Sequence, residues 1–156
     1  MRLTLTHCVI VVLLMLIAAQ CGAYYKERSE KIAATTEMLL QTQDFEKLYE
    51  GLDEVARSLT PKSEFLERAE QLVSFMKEAD PELRFVKSRE GGVYPDSLSD
   101  IYFEHRTLGA GVTQIDVDIW IDLNGPIPKL VDVCARPSTD ETVKAEHCLT
   151  NALRKI

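Results

Sequence analysis

Residues 112–125, VTQIDVDIWIDLNG, alternate apolar and polar side chains more strictly than any other stretch of the chain. Successive side chains of a strand point to opposite faces. Ile115, Val117, Ile119, Ile121 and Leu123 therefore share one face, and Gln114, Asp116, Asp118, Trp120 and Asp122 the other. An unbroken apolar face of that length demands a buried partner layer, which leaves the acids on the side away from it. Asn124-Gly125 is a strong hairpin signal. It returns the chain into PIPKLVDVCAR, residues 126–136, a further strand whose prolines suit its beginning or an edge.

Helices upstream supply the partner layer. Residues 26–42 begin polar and become apolar, with Ile32, Thr35, Thr36 and Leu39 at helical spacing. Asp44 can cap a second helix through residue 59, along which Phe45, Leu48, Tyr49, Leu52, Val55, Ala56 and Leu59 form a stripe. Thr60 is an N-cap and Pro61 a first helical residue for a third helix. Its predicted buried face is Phe65, Leu66, Ala69, Leu72, Val73 and Met76, and Asp80-Pro81 ends it. After Pro81 the period falls from 3.6 to 2. Residues 83–88 and 100–108 read as strands, with a turn at Gly91-Gly92 and a loop over 93–99. Residues 137–140 break the sheet, with Thr139 or Asp140 capping a terminal helix that places Val143, Cys148, Leu149 and Leu153 inward. Arg154 and Lys155 would complement its dipole. Helices followed by antiparallel strands predict an α+β domain. Its N-terminal helices pack on one face of a curved four-stranded antiparallel sheet, and a disulfide ties down the C-terminal helix.

The opening residues set the compartment. Arg2, an apolar run from Cys8 to Ala19, and small residues at Cys21 and Ala23 have the layout of a secretory signal over residues 1–23, cleaved before Tyr24. The run is shorter than the ~20 residues that span a bilayer. Two other readings stay open. Residues 3–25 are uncharged and end in Tyr24-Tyr25, which suits an uncleaved membrane anchor. Residues 18–21 resemble a lipoprotein box with lipid on Cys21, although Gln20 stands where that box has a small residue. All three export residues 24–156 as a single domain, periplasmic or extracellular. In an oxidising compartment Cys134 and Cys148 are expected to pair. Closing a loop of about 15 residues contributes about 3 kcal/mol in the chain-entropy model. A Cys148 nucleophile beside His147 is disfavoured, because neighbours on a helix do not face each other.

With 18 Lys and Arg against 25 Asp and Glu, the net charge of −7 disfavours nucleic acid as a partner. No metal is expected on Asp116, Asp118 and Asp122. Same-face neighbours on a strand stand about 6.6 Å apart, while calcium needs about six to eight oxygens at about 2.3–2.6 Å. Those acids read first as the solvated face of the sheet, with Trp120 packed against a neighbour. The other reading makes them, with Trp120, the candidate surface for a partner, since tryptophan is enriched among binding anchors. His105 shares a face with Ile101 and Phe103, with Tyr102, Glu104 and Arg106 opposite. It is the candidate general base if it lines a pocket, and otherwise a core-edge histidine. Serine-nucleophile, zinc and nucleotide motifs lack their basic parts, and no cofactor is expected.

Asp44-Phe45 with Tyr49, followed by Leu59-Thr60 and Phe65, resembles small secreted bacterial domains of the nuclear-transport-factor-two-like (cystatin-like) superfamily. The resemblance covers about residues 26–135. It implies a cone whose helices cover the concave sheet face, with a pocket that is catalytic in some members and not in others. The cysteine-linked terminal helix departs from that family, which ends on a strand. GGVYPDSL, DLNGP and the two-cysteine C-terminal loop are also similar to fragments of type IV pilin-like subunits, without their Gly-Phe processing site. The expectation is an exported envelope domain without catalytic activity that binds a protein partner or a small ligand. A homodimer is compatible with it, and the rivals are a pocket isomerase or hydrolase using His105, and a pilin-like assembly subunit.

Overall fold

The computed structural model describes residues 5–87, 92–93, 101–138 and 146–153. Four helices, α1 (Leu5–Thr42), α2 (Phe45–Glu50), α3 (Glu54–Leu59) and α4 (Lys62–Ala79), precede the strands. The strands are β1 (Val86–Lys87), β2 (Gly92–Val93), β3 (Ile101–Leu108), β4 (Ile115–Asp122), β5 (Lys129–Pro137) and β6 (His147–Cys148). All pairings between these strands are antiparallel, in the order β1-β3-β4-β5-β6, with β2 beside β3 at its other end. The chain is α+β, as expected.

The alternation in β4 is realised. Ile115, Val117, Ile119 and Ile121 are all buried, facing a helical layer in which α1 packs on β3 and β4 and α4 packs on α2 and β6. In α4 the predicted stripe of Phe65, Ala69, Leu72, Val73 and Met76 is buried too. Each such side chain removed from water contributes roughly 1.5–3 kcal/mol, so this interface is the main source of the fold's stability.

Several expectations are corrected. The second helix is split into α2 and α3. Asp53 starts α3 by accepting from the Val55 N–H at 2.7 Å, and its own N–H donates to the Leu130 carbonyl at 2.7 Å. The interruption lets Leu52 bridge to β5, and it turns Val55, expected inside, out to 63% exposure. Thr60 does not cap α4. Pro61 holds the N-cap position, and the buried Thr60 hydroxyl accepts from the Asn151 N–H at 2.9 Å. The β4–β5 connection takes residues 123–128 rather than a two-residue turn, and Gly125 is not left-handed. Pro126 and Pro128 have no N–H to close a tight ladder. Asp122 stabilises the loop instead, accepting from the Asn124 backbone at 2.9 Å and its side-chain amide at 2.8 Å.

The largest correction is at the C-terminus. The stretch expected to be helical contains β6, and residues 149–153 continue irregularly. Residues 141–145 lie outside those described, as do Thr139, Asp140, Arg154, Lys155 and most of the expected 93–99 loop. A bare β5 edge would leave a row of unpaired backbone groups, and β6 covers it. Cys134 and Cys148 are register partners across that pair and form the expected disulfide. Among the described residues the sheet is therefore five strands across rather than four, with β2 beside β3 as a sixth. At the other end of β3, Gly109 (φ +71) passes so close to α4 that a Cβ would stand 2.9 Å from the Ala79 carbonyl oxygen.

Candidate functional site

Tyr24, Arg28, Ile32, Thr35 and Leu39 recur along α1 at steps of three or four, so they present one face. That face walls a cavity of about 560 Å³, lined also by Leu48 and Gly51 from the α2 end, by Ile127 and Pro128 of the β4–β5 connection, and by Lys129 and Leu130 at the start of β5. Its floor is apolar. Glu27, Arg28, Lys31 and Lys129 stand among its lining residues. The Arg28 guanidinium lies 4.6 Å from the centre of the Tyr24 ring. Among the described residues, Arg28, Lys31 and Lys129 have no carboxylate within ion-pair distance.

None of the candidate binding or catalytic residues, Asp116, Asp118, Trp120, Asp122 and His105, lines this cavity. They lie on the opposite, outer face of the sheet. Register pairs Phe103 with Trp120, His105 with Asp118 and Thr107 with Asp116, so β3 turns Ile101, Phe103 and His105 away from the helices. The acids are not a freely solvated row. Asp118 is buried, holding His105 Nδ1 at 2.5 Å and Arg136 Nη2 at 3.2 Å. Asp116 stands 3.6 Å from His105 Nε2 and accepts from the Ser138 hydroxyl at 2.5 Å. The half-buried Trp120 packs on Phe103, ring centres 5.2 Å apart. Asp122 is engaged in the turn described above.

An acid within reach of His105 is half of what a general base requires. The other half is access, and His105 is only 4% exposed on the face away from the cavity. Among the described residues, the Ser138 hydroxyl donates to Asp116 rather than to the imidazole, so it is not activated by His105.

The inner face carries charge that the strand pattern alone had left unassigned. Arg106 Nε donates to Glu37 of α1 at 2.7 Å, and Nη1 donates to the fully buried Glu104 at 3.0 Å. Lys87 of β1 adds contacts to Glu30 at 2.8 Å and Glu104 at 3.5 Å. This network fastens α1 to β3. A buried carboxylate is tolerable only with such partners.

Asp132 is the other buried acid. It is 0% exposed, and burial pushes its carboxyl up from the ordinary 3.8 to about 7, against the lowering effect of hydrogen bonds from the Thr150 and Val133 N–H groups. One carboxylate oxygen and the sulfurs of Cys134 and Cys148 lie within 4.8 Å of one another. In the disulfide those sulfurs are bonded to each other and do not act as thiolate ligands.

Neither a protein-family model, nor the sequence of a characterised protein, nor a solved structure matches the chain. Its function must be argued from its own geometry. The cavity's cations and Asp132 escaped the sequence reading. The spacing of Tyr24, Arg28, Ile32 and Thr35 on α1 was the available signal for the first. For the second it was the position of Asp132 two residues before Cys134, in an otherwise apolar strand.

Proposed function

We propose that this chain is an exported binding domain, without catalytic activity, whose ligand is a small amphipathic anion seated in the cavity between α1 and the β4–β5 connection. One observation carries the reading. Three cations without ion-pair partners among the described residues stand in the lining of a mostly apolar hollow of about 560 Å³. Small-ligand sites are typically clefts of about 300–1,000 Å³, mostly apolar with a few placed polar groups. Glu27 offsets one of the three charges. The remaining excess stands out in a chain whose net charge is −7. An anionic head would meet Arg28, Lys31 and Lys129, and an apolar tail would cover Ile32, Leu39 and Leu130.

Export is part of the same proposal. Ile10 to Met15 are six consecutive apolar residues, each at least 44% exposed, so the domain does not cover them. That supports a targeting segment ahead of Tyr24. Among the described residues, no helix is long and apolar enough to cross a membrane. Membership of the nuclear-transport-factor-two-like superfamily also stays within the proposal, supported by helices covering one sheet face with a cavity between the layers.

The test is fluorescence titration with 11-(dansylamino)undecanoic acid, against a dansylated alkylamine of equal length. The acid is expected to bind at least about tenfold more tightly, the equivalent of about 1.4 kcal/mol. Lys31→Glu with Lys129→Glu should remove that preference, and Thr35→Trp should fill the cavity and abolish binding. Equal binding of the cationic probe, or binding indifferent to Thr35→Trp in a folded variant, overturns the reading.

A further inference from the structure

On the outer face, away from the cavity, Asp132 and Cys134 are same-face neighbours on β5, and Cys148 of β6 lies opposite Cys134. The two carboxylate oxygens of Asp132 have different surroundings. Oδ1 accepts from the Val133 N–H at 2.8 Å and the Thr150 N–H at 2.9 Å, whereas Oδ2 is buried and accepts nothing. Buried polar atoms are nearly always satisfied, and an exception calls for a reason. Here the neighbouring sulfurs supply one. A disulfide has no hydrogen to donate, but a thiol has. Opening the disulfide puts a thiol donor beside the carboxylate, one oxygen of which lies within 4.8 Å of both sulfurs.

The two sulfurs also differ. Cys134 is 2% exposed, inside the sheet, whereas Cys148 is half-buried on the edge strand. A thiolate from outside reaches Cys148 first. The sulfur that leaves is then that of Cys134, buried where a bare thiolate would be poorly solvated.

We propose that Cys134–Cys148 is a thiol–disulfide exchange site for a dithiol reductant, attacked at Cys148, with Asp132 giving the proton to the departing Cys134 sulfur. In the first step a reductant thiolate bonds to the Cys148 sulfur and the Cys134–Cys148 bond breaks. The electron pair goes to Cys134, and the Asp132 carboxylic acid protonates it, becoming a carboxylate. In the second step the reductant's other thiolate attacks its own sulfur in the mixed disulfide, and Cys148 leaves as a thiolate that takes a proton from solvent. The reductant ends as a disulfide and the protein as a dithiol, two electrons richer. In the reverse direction the Asp132 carboxylate accepts the Cys134 proton.

Asp132 suits this part. Its carboxyl, raised by burial, still holds a proton near neutrality, and a thiol with an ordinary value of about 8.5 takes that proton downhill. Among the described residues, the other ionisable groups around the pair are already engaged. Asp118 and Asp116 of β4 face His105 of β3, and Arg136 of β5 bridges Asp118 and Glu146. His147 of β6 stacks on Phe75 of α4, and Arg68 of α4 holds Glu64 and Asn151. Among the described residues Asp132 has no ion-pair partner, so its proton answers to the sulfurs. Because Thr150 hangs from Asp132 and Asn151 from Thr60, the site also controls how the C-terminal segment is fastened.

The experiment is reduction of the full chain by dithiothreitol between pH 5.5 and 8.5, quenched by alkylation and read by mass. After correction for the reductant's thiolate fraction, the wild-type rate should fall as pH rises through about 7. Asp132→Asn should be at least about tenfold slower at the acid end and flat across the range. Glutathione should be trapped on Cys148 and not on Cys134. Identical corrected profiles for the two proteins, or trapping on Cys134, overturn the proposal. A measurement on the unmutated protein guards against a folding defect in the variant. The Asp132 carboxyl carbon, followed by NMR, should titrate at a lower pH in the dithiol than in the disulfide form, because a thiol donor favours the carboxylate. Equal midpoints in the two forms also overturn it.

Discussion

Replacing Asp132 by asparagine should stabilise the domain above neutral pH and weaken it slightly in acid. The carboxyl is raised from 3.8 to about 7 by burial. At roughly 1.36 kcal/mol per unit, holding it ionised in the fold costs about 4 kcal/mol. The sign follows from proton counting. Between those two values the folded chain holds a proton that the unfolded chain has released. Wild-type stability therefore falls as pH climbs from about 4 to about 7 and is level above. Asparagine carries no such proton. It keeps the acceptor for Val133 and Thr150, but it places an amide where Oδ2 stood. No partner meets that position, at a cost of about 1–3 kcal/mol. The variant should thus be about 1–3 kcal/mol less stable than wild type near pH 4 and about 1–3 kcal/mol more stable near pH 8. Urea unfolding at both pH values, with the disulfide intact and equal m-values, measures the swing. Every other titrating group contributes equally to the two proteins and cancels. A stability difference that stays constant within about 1 kcal/mol between pH 4 and 8 would show that Asp132 is not the strained acid described.

Arg106→Ala should lose about 3–5 kcal/mol in urea unfolding, because it takes the only cation from Glu37 among the described residues and leaves the fully buried Glu104 with Lys87 alone, at 3.5 Å. The paired change Arg106→Met with Glu104→Met should recover most of that loss, since two apolar side chains need no partners there. Replacing both Cys134 and Cys148 by alanine should lower stability by about 3 kcal/mol, the chain-entropy value for residues 14 apart in sequence. The same unfolding curves report it.

Sequence periodicity worked where one face of an element meets one environment. The isoleucines and valines of β4 and the stripe of α4 are buried as their spacing requires. The Cys134–Cys148 disulfide followed from pairing the two cysteines on the expectation of an oxidising compartment. In β3 the pattern could not decide which face is inner, because one face offers Ile101, Phe103 and His105 while the other mixes Tyr102 with Glu104 and Arg106. The charged face went inward because Glu37 on α1 and Lys87 on β1 meet it there, and neither is local. His105 and the aspartates were visible as residue types. That Asp118 and His105 would consume each other depended on the β3–β4 register.

Residues 141–156 have a helical look, yet His147-Cys148 became a strand. Local propensity there was outweighed by the open edge of β5 and by a cystine joining register partners. The cavity required α1 to lie opposite a connection about 90 residues further along the chain, which no window of sequence contains.

What the order of residues determined, unaided, is the class of the fold, the apolar layer between helices and sheet, and the cysteine pair. Each of these depends on short-range spacing or on chemistry that needs only the right residue type. What tertiary structure alone decided is which charges are buried together, which cations surround an apolar hollow, and which acid lies against the cystine. Those outcomes depend on the distance and dielectric between groups far apart in the chain, and these quantities come into being only when the layers close.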